Sequence, residues 1–319
     1  MRPSRPFFLA SALAAAACGS VPNEPMDAPP AGHDAGPDGG ADAGDAMPPP
    51  PPPRCDLSKP FGAPVLVSGT TLNTATYDGN AQLTENELTI FFTSIRAGSQ
   101  GADIYFATRT STDDAFGAPQ LVEGINTAGG EIAPSVSGDG RTIYFIRDAE
   151  LYVADRTSAT GPFTNVAPVA VANTLRPVSD PYLTASGVYF ATADSMGNVD
   201  IARSLRRPTG DLGQPALVGE VNLPTKGEAR PVLSRDEKTI YWTSDRSDGG
   251  AVGSFDIWEA HRTSATGTFA SPTNLRGLNS DKIDNPSWIS ADGCVLYMDS
   301  DRANGVGERD LYVATRPAP

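Results

Sequence analysis

Histidine and cysteine are scarce, at 2 and 3 residues in a chain of 319. His33 lies in a stretch of alanine, glycine, proline and aspartate, and His261 closes a strand-like run. Neither is placed for a nucleophile–histidine–acid triad or a histidine-based metal cluster. There is no Gly-x-Ser-x-Gly elbow, no phosphate-cradling glycine loop and no recognisable calcium-loop spacing. No metal and no cofactor is therefore expected. Positive charge is also short, with 24 Lys plus Arg against 38 Asp plus Glu, so a basic groove for nucleic acid is excluded. Beyond the first residues no apolar run is long enough to cross a bilayer, and none sustains a helical 3.6-residue period.

What is present begins with a secretion signal over 1–18. Arg2 and Arg5 precede a short apolar run from Phe7 to Ala17, which ends in Ala15-Ala16-Ala17-Cys18. Small residues before a cysteine resemble the bacterial lipobox, although Ala15 stands where leucine is usual. An ordinary cleavage site with Cys18 incidental is the alternative. Gly19 after the cysteine resembles lipoproteins sent to the outer membrane, so the expectation is an outer-membrane lipid anchor with the domain periplasmic or at the cell surface. Residues 19–54 follow as a tether: Glu24, Asp27, Asp34, Asp38, Asp42 and Asp45 face Arg54 alone, and the segment ends in Pro48–Pro53. It has too little apolar surface to offset the entropy of folding and is read as disordered. Extended, it would reach on the order of 100 Å.

From 55 onward one plan recurs. "FGAPVLVSGTTLNT" starts at Phe61 and "FGAPQLVEGINT" at Phe116; weaker copies start at Phe163, Leu212 and Phe269, at spacings of 55, 47, 49 and 57 residues. Each copy continues into a segment usually holding proline, then a tight turn and a strand such as "TIYFIR" or "TIYWTS". It closes with an acidic residue and a last strand such as "DIYFATR" or "DLYVATR". Four short strands per unit of about 50 residues predict an all-β chain, a single five-bladed β-propeller, with six blades the lesser alternative. The last unit lacks its outermost strand, and the segment 61–67 can supply it, closing the ring. Cys55 lies just before that strand and Cys294 at the first turn of the same blade, so an exported chain invites a disulfide between them; two free thiols, with Cys294 a small core residue, are the alternative.

The units "SGDGRTIYF", "SRDEKTIYW" and "SADGCVLYM" resemble the TolB-type, WD-repeat-like propeller family over nearly all of 61–319. That resemblance implies fold strongly and function weakly. It departs in blade number, since TolB-type propellers commonly have six, and in lacking the TolB amino-terminal domain.

Function is expected on the face where inner strands are entered and second strands lead to third strands. The entry segments bring Asp78, Glu131, Asp180, Glu228, Arg230 and Asp284 there, and the long loops add Asp245, Arg246, Asp301 and Arg302, with Tyr77, Tyr182 and Trp288 nearby. Acids that recur in nearly every unit serve the blade first. The function expected from this is a non-enzymatic module binding an envelope protein; the alternative is a glycan-binding or glycan-hydrolysing propeller using channel-mouth carboxylates, with Glu131, Glu228 and Asp284 as candidates. The anchor is testable on its own: Cys18→Ala should move the protein from the membrane to the soluble fraction, and retention in the membrane would reject lipidation at Cys18.

Overall fold

A computed structural model describes residues 53–319 apart from Thr70 and Gln100. The signal segment with Cys18, and the tether up to residue 52, lie outside the described residues. The rest forms five antiparallel four-stranded sheets, the blades of a ring. A short strand β1 (Val65–Leu66) comes first. Blade 1 is β2 (Asp78–Leu83), β3 (Thr89–Ser94), β4 (Asp103–Thr108) and β5 (Gln120–Leu121). Blade 2 is β6 (Glu131–Val136), β7 (Thr142–Arg147), β8 (Glu150–Asp155) and β9 (Thr164–Pro168). Blade 3 is β10 (Val178–Thr184), β11 (Gly187–Ala193), β12 (Val199–Leu205) and β13 (Ala216–Leu217). Blade 4 is β14 (Glu228–Leu233), β15 (Thr239–Ser244), β16 (Asp256–His261) and β17 (Ala270–Asn274). Blade 5 is β18 (Asp284–Ile289), β19 (Val295–Ser300) and β20 (Asp310–Thr315), completed by β1.

The apolar residues of the repeat form the layers between blades. Ile90, Ile143, Val188, Ile240 and Leu296, at one position of each second strand, are fully buried, as are Ile104, Leu151, Ile201, Ile257 and Leu311 in the third strands. Both faces of a blade are covered by neighbours, so the strands read as continuous apolar runs rather than alternating ones. Burying each such side chain contributes roughly 1.5–3 kcal/mol.

Polar repeat residues serve the same frame. Asn73, Asn126, Asn173, Asn222 and Asn279 each accept the backbone N–H of the first apolar residue of a third strand, at 2.7–2.9 Å, and donate back to its carbonyl. Turns between first and second strands are built alike: Ser137, Ser234 and Ser290 donate to Asp139, Asp236 and Asp292 two residues on. In two of these turns the next residue is Gly140 or Gly293, at φ +70° and +74°, a left-handed conformation that glycine adopts without strain.

The seam reuses the same contacts. Val65 and Leu66 pair with Val313 and Tyr312, and Gly62 N–H donates to the Thr315 carbonyl at 2.8 Å, as Gly117 does to Thr108 within blade 1. The Arg316 guanidinium lies 4.0 Å from the Phe61 ring centre, where Arg109, Arg156 and Arg262 lie over Phe116, Phe163 and Phe269. A disulfide joins Cys55 to Cys294 across 239 residues. Arg54, next to it, pairs with Glu87 of blade 1 and Asp292 of blade 5. On the loop-closure model the disulfide contributes about 5 kcal/mol. Cys294→Ser should lower the unfolding free energy in urea accordingly and raise the m-value, because the uncrosslinked unfolded chain exposes more surface; an unchanged unfolding free energy would show that strand pairing alone holds the seam.

Candidate functional site

The first residue of the inner strand is an acid in four blades: Asp78, Glu131, Glu228 and Asp284, each with no exposed surface. Each is covered by an arginine of its own blade. Arg96 meets Asp78 at 2.9 Å, Arg147 meets Glu131 at 2.7 Å, Arg246 meets Glu228 at 3.2 Å and Arg302 meets Asp284 at 2.5 Å. The remaining carboxylate valences are filled from the entry segment. Thr74, Thr127 and Ser280 donate both N–H and hydroxyl to Asp78, Glu131 and Asp284, and Leu223 N–H donates to Glu228. The arginines also donate to backbone carbonyls of Leu72, Ile125, Val221 and Leu278 and lie over aromatic rings such as Tyr105, Tyr152, Trp258 and Tyr312. In blade 3 the position is Val178 and this latch is replaced by an apolar contact. Burial raises the Glu228 carboxyl above its ordinary value, against the hydrogen bonds and Arg246, which lower it.

The expected binding-face residues therefore separate. Asp78, Glu131, Glu228, Asp284, Arg246 and Arg302 tie entry segment, inner strand and loop together and present no free carboxylate to a ligand. Asp245 and Asp301 accept the N–H of Gly227 and Ile283 and hold the entry segments. Glu131, Glu228 and Asp284, candidates for glycoside chemistry, are corrected on this ground: all their oxygens are engaged inside the blades. Tyr182 and Trp288 are corrected as well, since they sit at the far ends of inner strands, on the opposite mouth of the ring.

Asp180 and Arg230 are different. In blades 1 to 4 the third residue of the inner strand is Asn80, Ala133, Asp180 or Arg230, with φ between +48° and +56°. At each, the pairing register skips, a bulge that turns this residue towards the ring axis. The backbone device repeats but the side chain does not. Arg230 Nε donates to Asp180 Oδ1 at 2.8 Å, its Nη1 to Asp299 Oδ2 at 3.1 Å and its Nη2 to the Tyr77 hydroxyl at 3.3 Å. Tyr77 donates to Asn80 at 2.9 Å, and Asn80 N–H donates to Asp299 at 3.1 Å. Asn285, Arg309 and the Ser287 hydroxyl complete the shell of Asp299, at 3.0, 3.4 and 3.4 Å. The cluster draws on blades 1, 3, 4 and 5.

Burial opposes the charge of Asp299, but Arg230 and Arg309 outweigh it and hold the carboxyl below its ordinary value. Burial likewise opposes the charge on Arg230, yet Asp180 and Asp299 hold it protonated. Burial pushes the Tyr77 hydroxyl up, so it stays a hydrogen-bond donor. Asp180 is the carboxylate of the cluster that keeps exposed surface, 15% of its side chain, whereas Asp299 keeps none. Among the described residues Asp180 Oδ2 makes no hydrogen bond.

Asp299, Asn80, Asn285 and Arg309 were not singled out from the sequence. A signal existed: the position of Asp299 in the second strand reads Thr93, Ile146, Ala191 and Thr243 in the other blades, so one carboxylate breaks the repeat.

No protein-family model and no curated protein matches the sequence. Among solved structures, the chain is similar to an α-L-arabinofuranosidase from Podospora anserina solved with cellotriose, at TM-score 0.51 and 11% identity over 84% of this chain and 99% of that one. It is similar to a GH62 hydrolase solved with xylotriose, at TM-score 0.50 and 8% identity over 81% and 97%. A putative TolB from Agrobacterium tumefaciens matches at TM-score 0.41 and 16% identity over 62% and 65%. At such identities the likeness is one of fold. It corrects the expectation of a non-enzymatic module, because this ring is an architecture that glycoside hydrolases share over almost their whole length.

The axial cluster has a pH signature. A carboxyl depressed in the folded state adds stability that is complete above its ordinary value of 3.8 and is lost as pH falls below that. Asp299→Asn should flatten the acid limb of the stability curve below that pH. At neutral pH it should cost about 3–5 kcal/mol, because Arg230 and Arg309 lose their partner. Parallel acid limbs in urea titrations of the two proteins would contradict this account of Asp299.

Proposed function

We propose that this propeller is a carbohydrate-active domain that seats a glycan over the axial cluster at the strand-entry mouth. The observation that carries the reading is the cluster's departure from the repeat. Residues repeated in each blade close the ring, whereas Asp180, Arg230, Asp299, Tyr77 and Arg309 are single occurrences brought to one place on the axis. A carboxylate accepting from vicinal hydroxyls, beside a guanidinium donating to them, is the pairing that sugars ask for. Glycoside hydrolysis needs two carboxyl groups, one of them ionised. Asp299, fully buried with both oxygens engaged, holds Arg230 in place, whereas Asp180, partly exposed and with an oxygen that makes no hydrogen bond among the described residues, suits the group that reaches the ligand. The hydrolases of similar fold were solved with cellotriose and xylotriose, which makes these the first ligands to try.

A second reading, a protein partner on the same face, is favoured by the exposed aliphatic side chains Ile95, Met196, Val252 and Val306 on its loops. In either case we place the domain at the outer membrane, held through Cys18.

The test is calorimetry with cellotriose and xylotriose, together with chromatography of the products and release of nitrophenol from an aryl α-L-arabinofuranoside. Binding or turnover that Asp180→Asn reduces tenfold or more supports the reading. Absence of both at millimolar ligand, or activity indifferent to Asp180→Asn, would sink it.

A further inference from the structure

The opposite mouth of the ring holds a chamber of about 370 Å³, within the range of small-ligand sites. Residues from the end of each inner strand line it: Leu183 is part-exposed, whereas Leu83, Val136, Leu233 and Ile289 are packed mostly between the blades and show it only their edges. Trp288 and Tyr182 add aromatic surface. Beneath the axial cluster, a second cavity lined by Asn80, Asp180, Arg230, Gln82 and Tyr182 holds only about 20 Å³, room for about one water. The two mouths are therefore separate sites.

The titratable groups lining the chamber besides Tyr182 are Glu85, Arg206 and Arg235. Glu85 of blade 1 pairs with Arg235 of blade 4 across the opening, and half of the Glu85 side chain is exposed. The Arg235 side chain is largely buried, and its Nε has no hydrogen-bond partner among the described residues. A buried guanidinium nitrogen left in that state is uncommon in a native fold. Arg206 is exposed, donates to the Gly210 carbonyl at 3.2 Å, and has no acidic partner among the described residues. Two arginines and one glutamate line the chamber itself, and the turn residues Asp139, Asp236 and Asp292 lie just outside that lining.

We propose that this chamber is a second binding site, for a small amphipathic anion: an apolar body within the chamber and a single acidic head on Arg235 and Arg206. The head displaces Glu85, whose exposed side chain turns to solvent at little cost. Neutral sugars are poor candidates here, because the wall offers apolar contact rather than paired donors and acceptors.

The probe is 1-anilinonaphthalene-8-sulfonate, with its sulfonate-free parent N-phenyl-1-naphthylamine as the control of equal body and no charge. Titrated into the full chain, the sulfonate should bind saturably at one site and at least tenfold tighter than the parent. Arg235→Gln should weaken the sulfonate tenfold and leave the parent unchanged. Ala185→Trp, which adds bulk at an exposed position of the opening, should abolish both while leaving the melting temperature and any response to xylotriose intact. Equal affinity for the two dyes, or uptake unchanged by Ala185→Trp, overturns the proposal. So does absence of saturable binding. Because the readout sits on the opposite mouth from Asp180, its failure leaves the glycan reading standing, and the reverse.

Discussion

Every blade of this ring is apolar on both faces, so the last must meet the first or two large apolar sheets stand in water. Closure is the constraint on which the other features rest. It is met with the contacts used inside the blades: the Asn73 clamp on Leu311, Gly62 on Thr315, and Arg316 over Phe61. Each is a copy of a local contact made elsewhere between residues no more than about 22 apart, here made between the two ends of the described chain. The entropy of bringing those ends together has no local counterpart, and the disulfide and the Arg54 ion pairs lie where that cost falls.

The acid–arginine latches extend the same logic to the entry face. A buried carboxylate is costly unless its charge is matched and its lone pairs are filled. Asp284 meets both conditions with Arg302, Ser300 and the Ser280 N–H and hydroxyl, so the entry segment is held as firmly as a strand. Blade 3 does without, using Val178. Rigid edges of this kind let the loops beyond them differ in length without loosening the ring.

Repetition explains what was legible in the sequence. Fold, blade count and the strand that closes the ring follow from units whose turns, prolines and closing strands recur. The faces of the ring were legible too, since strand order places Asp78 and Asp284 at one end and Cys294 at the other. Site chemistry was not, because it lies in side chains that break the pattern. Asp299 is one residue in a strand otherwise like its neighbours, and its arginines come from positions 69 residues before it and 10 after. Asp180 and Arg230 are adjacent only because bulges in two different blades turn both towards the axis. The candidates for glycoside chemistry were the recurring acids Glu131, Glu228 and Asp284, and sequence alone cannot tell such latched carboxylates from Asp180, which stands on the axis with an oxygen that makes no hydrogen bond among the described residues.

The same distinction bears on how the two mouths can behave. Towards the entry side the axis is filled by a charged network centred on Arg230, so its geometry resists change: moving Arg230 leaves Asp180, Asp299 and Tyr77 short of a partner at once. Towards the turn side the axis is lined by aliphatic side chains with no such mutual demands, and its one ion pair, Glu85–Arg235, has a half-exposed member. A stiff polar plug thus separates a preorganised mouth from an adaptable one. A ligand at the first has to fit the charges already in place, whereas a ligand at the second can displace a side chain and be accommodated. Because the plug does not yield, occupancy of one mouth has no mechanical route to the other through the channel, and any coupling has to travel through the blades.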